Sequence, residues 1–345
     1  MTQIQDFIRL LPKAELHLHL EGTILPTTLV ELSQRHDETP LTLGQAEAIY
    51  NFNDFSEFLN AFKAVTSRLV TPEDYELAAW RMAEHLAEQG VIHAEVFISV
   101  GVIYLWRRHD PHCVEPIMVA LERARERAKA ELGLTIYWIF DAVRHFSVED
   151  ATMVFRKAAE LQAIYPSIIG IGLGGDERRA GSEPFRELYA EAKAAGLRLT
   201  NHAGETTGHD AIEEALTIGS ERLGHVLSLV FSPELMEQFV ADRTPLELCP
   251  SSNVATGVCE CFAAHPLRQY FDRGLLVSLN SDDPAFFRSN LANEYYLAHK
   301  VHHFTPEELR QLAVNSFLSS FLPEAEKQAA VDRITKIQCP IAPVM

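Results

Sequence analysis

Eight short apolar, often β-branched runs alternate along this chain with longer amphipathic stretches. The runs lie at residues 14–20, 91–99, 134–142, 168–175, 197–205, 222–226, 245–250 and 275–283. Helical patterns fill the spaces, among them 115–131, 148–164, 184–195 and 210–218. A strand that leads through a helix to the next strand pairs parallel with it by a right-handed crossover. Eight such units with no edge strand left over predict a closed (β/α)8 TIM barrel; an open doubly wound sheet is the architectural rival. No Gly/Ser linker or low-complexity tract divides the 345 residues, so one domain is expected over residues 1–345. One spacing breaks the rhythm. About seventy residues separate the first two runs, more than a crossover helix needs. Helical patterns at 27–34, 55–69 and 72–89 fill them, so residues 26–90 are expected to form a helical lid insertion over the barrel mouth. Extra helices are expected after the last strand, 306–321 being the clearest.

Charge narrows the partners. With 48 acidic and 30 basic side chains the net charge is −18, which argues against a nucleic-acid partner, since phosphate needs a basic footprint. No run of eighteen apolar residues is present, so no membrane span is expected. The N-terminal stretch lacks a basic n-region and a long apolar h-region. Five cysteines, an odd number, suit reduced thiols. A cytoplasmic protein acting on a small molecule is the expectation.

The polar residues of note fall at the C-terminal ends of the strands, the face where barrel active sites are built. His17 and His19 are two apart on the first strand, so both imidazoles project to one side. His202 and Glu205 end the fifth strand, His225 the sixth, and Asp282 and Asp283 the eighth. A lone His-x-His is common without metal, and an Asp-Asp-Pro can simply cap a helix. Convergence of four strand ends is what distinguishes a site. Imidazole and carboxylate ligands suit Zn2+. The simplest arrangement has His17, His19, His202 and Asp282 as ligands, leaving Glu205 and His225 for proton transfer. The fourth strand ends in Gly172, Gly174 and Gly175 with no lysine to bridge two metals, which favours one ion and lets a flat ligand approach the backbone.

These residues resemble the adenosine deaminase family. The likeness rests on Pro12-Lys13-Ala14-Glu15-Leu16-His17-Leu18-His19-Leu20-Glu21-Gly22, Gly175-Asp176-Glu177, His202-Ala203-Gly204-Glu205 and Arg222-Leu223-Gly224-His225. It continues through Cys249-Pro250-Ser251-Ser252-Asn253 and Asn280-Ser281-Asp282-Asp283-Pro284, in order and over nearly the whole chain. The resemblance implies a mononuclear zinc barrel that hydrolyses a 6-aminopurine to the 6-oxopurine and ammonia. It implies that His225 and Asp282 orient the attacking water, with His225 accepting its proton or stabilising the hydroxide electrostatically. Glu205, protonated, would serve N1. His19, Glu21, Gly175 and Asp283 would bind substrate, Asp283 at N7 and the Gly175 N–H at N3.

Substrate choice is less constrained. Animal-type members carry Asp where this chain has Glu21, a longer acid that alters the contact with the ribose. Adenosine, a 5′-substituted adenosine such as 6-aminodeoxyfutalosine, and free adenine all remain. A catalytically inactive binding barrel, or an esterase or amidase on a similar barrel, is the alternative of a different class. Arg107 and Arg108, after the second strand, are expected to supply a cation for an acidic 5′ extension; the competing reading is a solvated face.

Overall fold

Parallel strands buried on both faces read as continuous apolar runs rather than alternating ones, and the eight runs do become strands. The structure, a computed structural model, describes residues 2–52 and 55–339. The expected domain limits at residues 1 and 345 fall outside them. The strands are β1 Lys13–His19, β2 Val91–Ile98, β3 Thr135–Val143, β4 Ile168–Gly174, β5 Arg198–Ala203, β6 Arg222–His225, β7 Leu246–Leu248 and β8 Val277–Leu279. They follow one another in sequence order, each parallel to the next.

Closure between β8 and β1 is partly made by a side chain. His19 N–H donates to the Asp282 carbonyl and Asp282 N–H to the His17 carbonyl, both at 3.0 Å. Below them Asn280 Oδ1 accepts the N–H groups of Leu16 at 2.8 Å and His17 at 3.2 Å. Helix Pro306–Ser319 packs across this seam. Its start is written locally: Thr305 caps it, Glu308 returns the bond to the Thr305 N–H at 2.8 Å, and Pro306 opens the first turn. β7 and β8 are shorter than their apolar runs. After β7 the chain turns into helix Pro250–Ala255, and after β8 it turns left-handed at Asp282, with φ 64°.

Between β1 and β2 the described residues form a short 3-10 turn, Glu21–Thr23, and four α-helices, Pro26–His36, Leu43–Ile49, Phe55–Thr66 and Pro72–Glu88. Leu43–Ile49 was not expected; the Thr42/Gln45 capping box starts it. Pro72–Glu88 lies in the outer ring against β2 and helix Val114–Leu132, where a crossover helix belongs. Phe55–Thr66 is the one that reaches the mouth: Phe58 and Phe62 meet Phe286 on helix Pro284–Phe287, ring centroids 5.5 and 5.8 Å apart. Among the described residues no helix is long and apolar enough to cross a membrane.

Candidate active site

Strand geometry delivers the site. Alternation along β1 sends His17 and His19 into the barrel, and β5 brings His202 across from them. Asp282 and His225 sit just past β8 and at the end of β6, both at φ 64°. Non-glycine residues rarely hold that conformation, and where they do it is often to aim a functional side chain. His19 Nε2 lies 3.3 Å from His202 Nε2 and 3.3 Å from Asp282 Oδ1. His17 Nε2 is 3.5 Å from the same oxygen. One ligand atom from each of the four residues lies within 4.8 Å of all the others.

The donor set fits a divalent metal. All four residues are buried, and His17 Nε2 has no hydrogen-bond partner among the described residues. Its other nitrogen, Nδ1, is 2.7 Å from Glu247 Oε2, the carboxylate–histidine pairing that orients metal-binding imidazoles. Glu247 pairs in turn with Arg222 Nε, and Arg222 reaches Glu95 Oε2 at 2.5 Å. Asp282 turns Oδ1 to the histidines while Ser252 Oγ donates to Oδ2 at 2.6 Å.

A cavity of about 350 Å³ opens over this floor. Glu205 and His225 line it, with His225 Nδ1 3.9 Å from Glu205 Oε1. Burial, helped by the Asp282 charge, pushes Glu205 up to about 8, so its carboxyl holds a proton at neutral pH in the ion-free protein. Glu177 fixes the loop that carries it, accepting N–H bonds from Gly204, Glu205 and Thr206 at 2.7, 2.9 and 2.8 Å. Asp283 lines the wall with Oδ1 unpartnered, and burial lifts its carboxyl well above the usual range. Gly22 is required beside it, because a Cβ there would sit 2.6 Å from the Asp283 Cα. Gly175, at φ 93°, also lines the cavity.

Three expected site residues are placed elsewhere. Glu21 is buried but absent from the cavity wall; it accepts bonds from the Ser99 N–H and Oγ, both at 3.1 Å, and Ser99 lines the cavity in its place. Arg107 is committed to the carbonyls of Leu69, at 2.9 Å, and Val70. Arg108 is exposed, and neither arginine lines the cavity. The cations on the wall are Lys63 and Arg179, both exposed at the rim near His145. Asp141, at the end of β3, also lines the cavity with Oδ1 unpartnered, raised by burial to about 8. Asp141, Glu177, Glu247 and Asn253 join the site without having been expected there; the last three lie in or beside the motifs named above, but nothing local in the sequence announces their partners.

An eight-stranded parallel barrel with an inward His3Asp cluster at its C-terminal mouth defines a metal-dependent barrel hydrolase. The sequence matches the adenosine deaminase family over residues 12–337. The chain belongs to that family and is a metal-dependent hydrolytic deaminase. It is 37% identical to the aminodeoxyfutalosine deaminase of Streptomyces avermitilis over 94% of this chain and 90% of that one. It is 34% identical to an adenine deaminase of Aspergillus oryzae, covering 96% of both. The crystal structure of an adenine deaminase from Arthrobacter aurescens superposes with a TM-score of 0.87 at 32% identity, covering 94% of this chain and 98% of that one.

Proposed function

We propose that the protein hydrolyses the 6-amino group of a purine nucleoside, adenosine or a 5′-substituted adenosine such as 6-aminodeoxyfutalosine, to the 6-oxopurine and ammonia. The ligands would be His17, His19, His202 and Asp282, and the ion a single Zn2+, whose preference for imidazole and carboxylate they meet. When bound, the ion supplies Lewis acidity that makes water a nucleophile near neutral pH.

The protein's own groups do the rest. Glu205, protonated, donates to N1 and makes C6 electrophilic. Asp283, also protonated, donates to N7, and the Gly175 N–H meets N3. Water oxygen bonds to C6 and the C6–N6 bond breaks; N1 keeps the proton from Glu205, and one of the two water protons leaves on the departing ammonia. Glu205 regains from the added hydroxyl the proton it gave N1. Helix Phe55–Thr66 acts as the lid within the 26–90 insertion, and the whole chain works as one barrel domain.

The observation that carries a nucleoside over a free base is the reach of the cavity. Besides the floor residues its lining includes Phe62, Trp106 and Phe287 and the exposed Lys63 and Arg179, an apolar wall and a pair of cations for which adenine has no use. They suit a 5′ substituent with an apolar body and an anionic end. Free adenine is the second reading, favoured by the likeness to the Aspergillus and Arthrobacter adenine deaminases. A comparison of kcat/KM for adenine, adenosine, a 5′-aryl adenosine and its carboxylate analogue tests both. The nucleosides are expected to exceed adenine at least tenfold, the carboxylate analogue most; a preference for adenine overturns the nucleoside reading.

A further inference from the structure

His225 could serve the attacking oxygen in two opposite ways, as a proton acceptor or as a hydrogen-bond donor, and its tautomer decides which. A buried chain of hydrogen bonds leads away from its ring. Asn253 Nδ2 lies 3.0 Å from His225 Nδ1, and Asn253 Oδ1 lies 3.3 Å from His265 Nε2. The chain ends at Leu267, whose N–H donates to His265 Nδ1 at 3.1 Å. Leu267 is the first residue of helix Leu267–Asp272, so its N–H has no carbonyl within the helix to bind. All three side chains are buried, with Asn253 fully enclosed.

A backbone N–H can only donate, and this fixes each link in turn. His265 Nδ1 must offer its lone pair, so the His265 proton sits on Nε2. That N–H requires an acceptor, which makes the facing Asn253 atom its oxygen. The Asn253 amide nitrogen then faces His225 and donates to Nδ1. Glu205 Oε1, 3.9 Å from the same nitrogen, is beyond hydrogen-bond reach and does not compete. His225 is left with its proton on Nε2, which bonds to no described residue, while its ring lines the cavity.

We infer that Leu267, His265 and Asn253 form a positioning relay that fixes His225 as the Nε2–H tautomer, making it a hydrogen-bond donor to the oxygen that adds to C6 rather than that oxygen's general base. The inference rests on the proposed deamination for the identity of that oxygen, but the tautomer can be read without substrate. A donor aimed where negative charge develops stabilises the transition state and needs no reorganisation. His265 and Asn253 touch neither substrate nor metal in this scheme; they act through His225.

The test is 15N NMR of histidine-labelled, zinc-loaded protein, with the His225 resonances assigned by their loss in H225Q. Two-bond correlations report which ring nitrogen carries the proton. The expected pattern has Nε2 protonated and Nδ1 bare. In H265A the amide of Asn253 is free to turn over, so a Nδ1–H population of His225 is expected to appear. There kcat is expected to fall ~10²-fold, the scale of one lost oxyanion donor, with KM little changed. H265Q keeps an N–H for Asn253 and is expected to restore both tautomer and kcat. A Nδ1–H tautomer in the wild-type protein overturns the relay. So does H265A with an unaltered tautomer. Neither result touches the substrate assignment, which a failure of the nucleoside panel alone would remove.

Discussion

Loading the ion-free protein with zinc is expected to release protons, and His17 sets the minimum. Its ring lies between two carboxylates, with Nδ1 2.7 Å from Glu247 and Nε2 3.5 Å from Asp282. Burial opposes charge on the ring, but the carboxylates of Asp282 and Glu247 on either side of it outweigh that and raise His17 to about 10. Near neutral pH the ring is therefore a cation in the ion-free state. A metal ligand must be neutral, so binding displaces that proton. The sign follows directly: below about pH 10 protonation competes with zinc, and affinity climbs about tenfold, or about 1.4 kcal/mol, for each unit of rising pH. Water on the ion ionises with a pKa near ~7 and adds to the count, so measurement at about pH 6 isolates the protein's share. Calorimetric titrations in buffers of different ionisation enthalpy give the number. At least about one proton per zinc is expected, since Asp141, raised by burial to about 8, can add to it. Fewer than about half a proton would refute the idea that one ligand is held charged between two carboxylates until metal arrives.

Other consequences are as concrete. Glu205→Gln and Asp282→Ala should each lower kcat by at least ~10²-fold; zinc content separates them, being kept in the first and lost in the second. Gly224→Ala places a Cβ 2.7 Å from His17 Nδ1, pushing the ring off Glu247. Zinc affinity by chelator competition should fall ~10- to 100-fold. Arg222→Met leaves Glu95 and Glu247 buried without their cation, and denaturant unfolding should show a loss of about 3–5 kcal/mol. Lys63→Met with Arg179→Met should lower the kcat/KM ratio of the carboxylate analogue to its neutral partner about tenfold, on the scale of a charge-assisted bond. That ratio should fall in wild-type protein as salt is added; an unchanged ratio in the double variant removes the anion subsite.

The barrel was legible because its strands are buried on both faces and its crossovers have helical period. The insertion was harder. Periodicity marks Pro72–Glu88 as a helix, but whether it covers the mouth or joins the outer ring depends on Val114–Leu132, which packs beside it. The four residues of the His/Asp cluster could be read from strand-end position alone. Their supports could not: Glu247 is 230 residues from His17, and Glu95 is 127 from Arg222, and barrel closure alone makes them neighbours. Glu21, Arg107 and Arg108 lie off the cavity wall for a related reason. Ser99 and the Leu69 carbonyl decide where the first two side chains end, and a sequence shows a residue's type and not its partner. The cations that do line the cavity, Lys63 and Arg179, lie instead on helix Phe55–Thr66 and on the loop after β4, both far in sequence from the expected loop.

The chemistry itself is tested most directly with labelled solvent. Zinc-loaded protein would be given adenosine and the 5′-carboxylate analogue in H218O, with ammonia assayed and the purine product weighed by mass spectrometry. One ammonia per turnover, and a 6-oxopurine carrying one 18O at C6, is the expected result. Absence of ammonia, or product oxygen that does not come from solvent, would contradict hydrolytic deamination at this site.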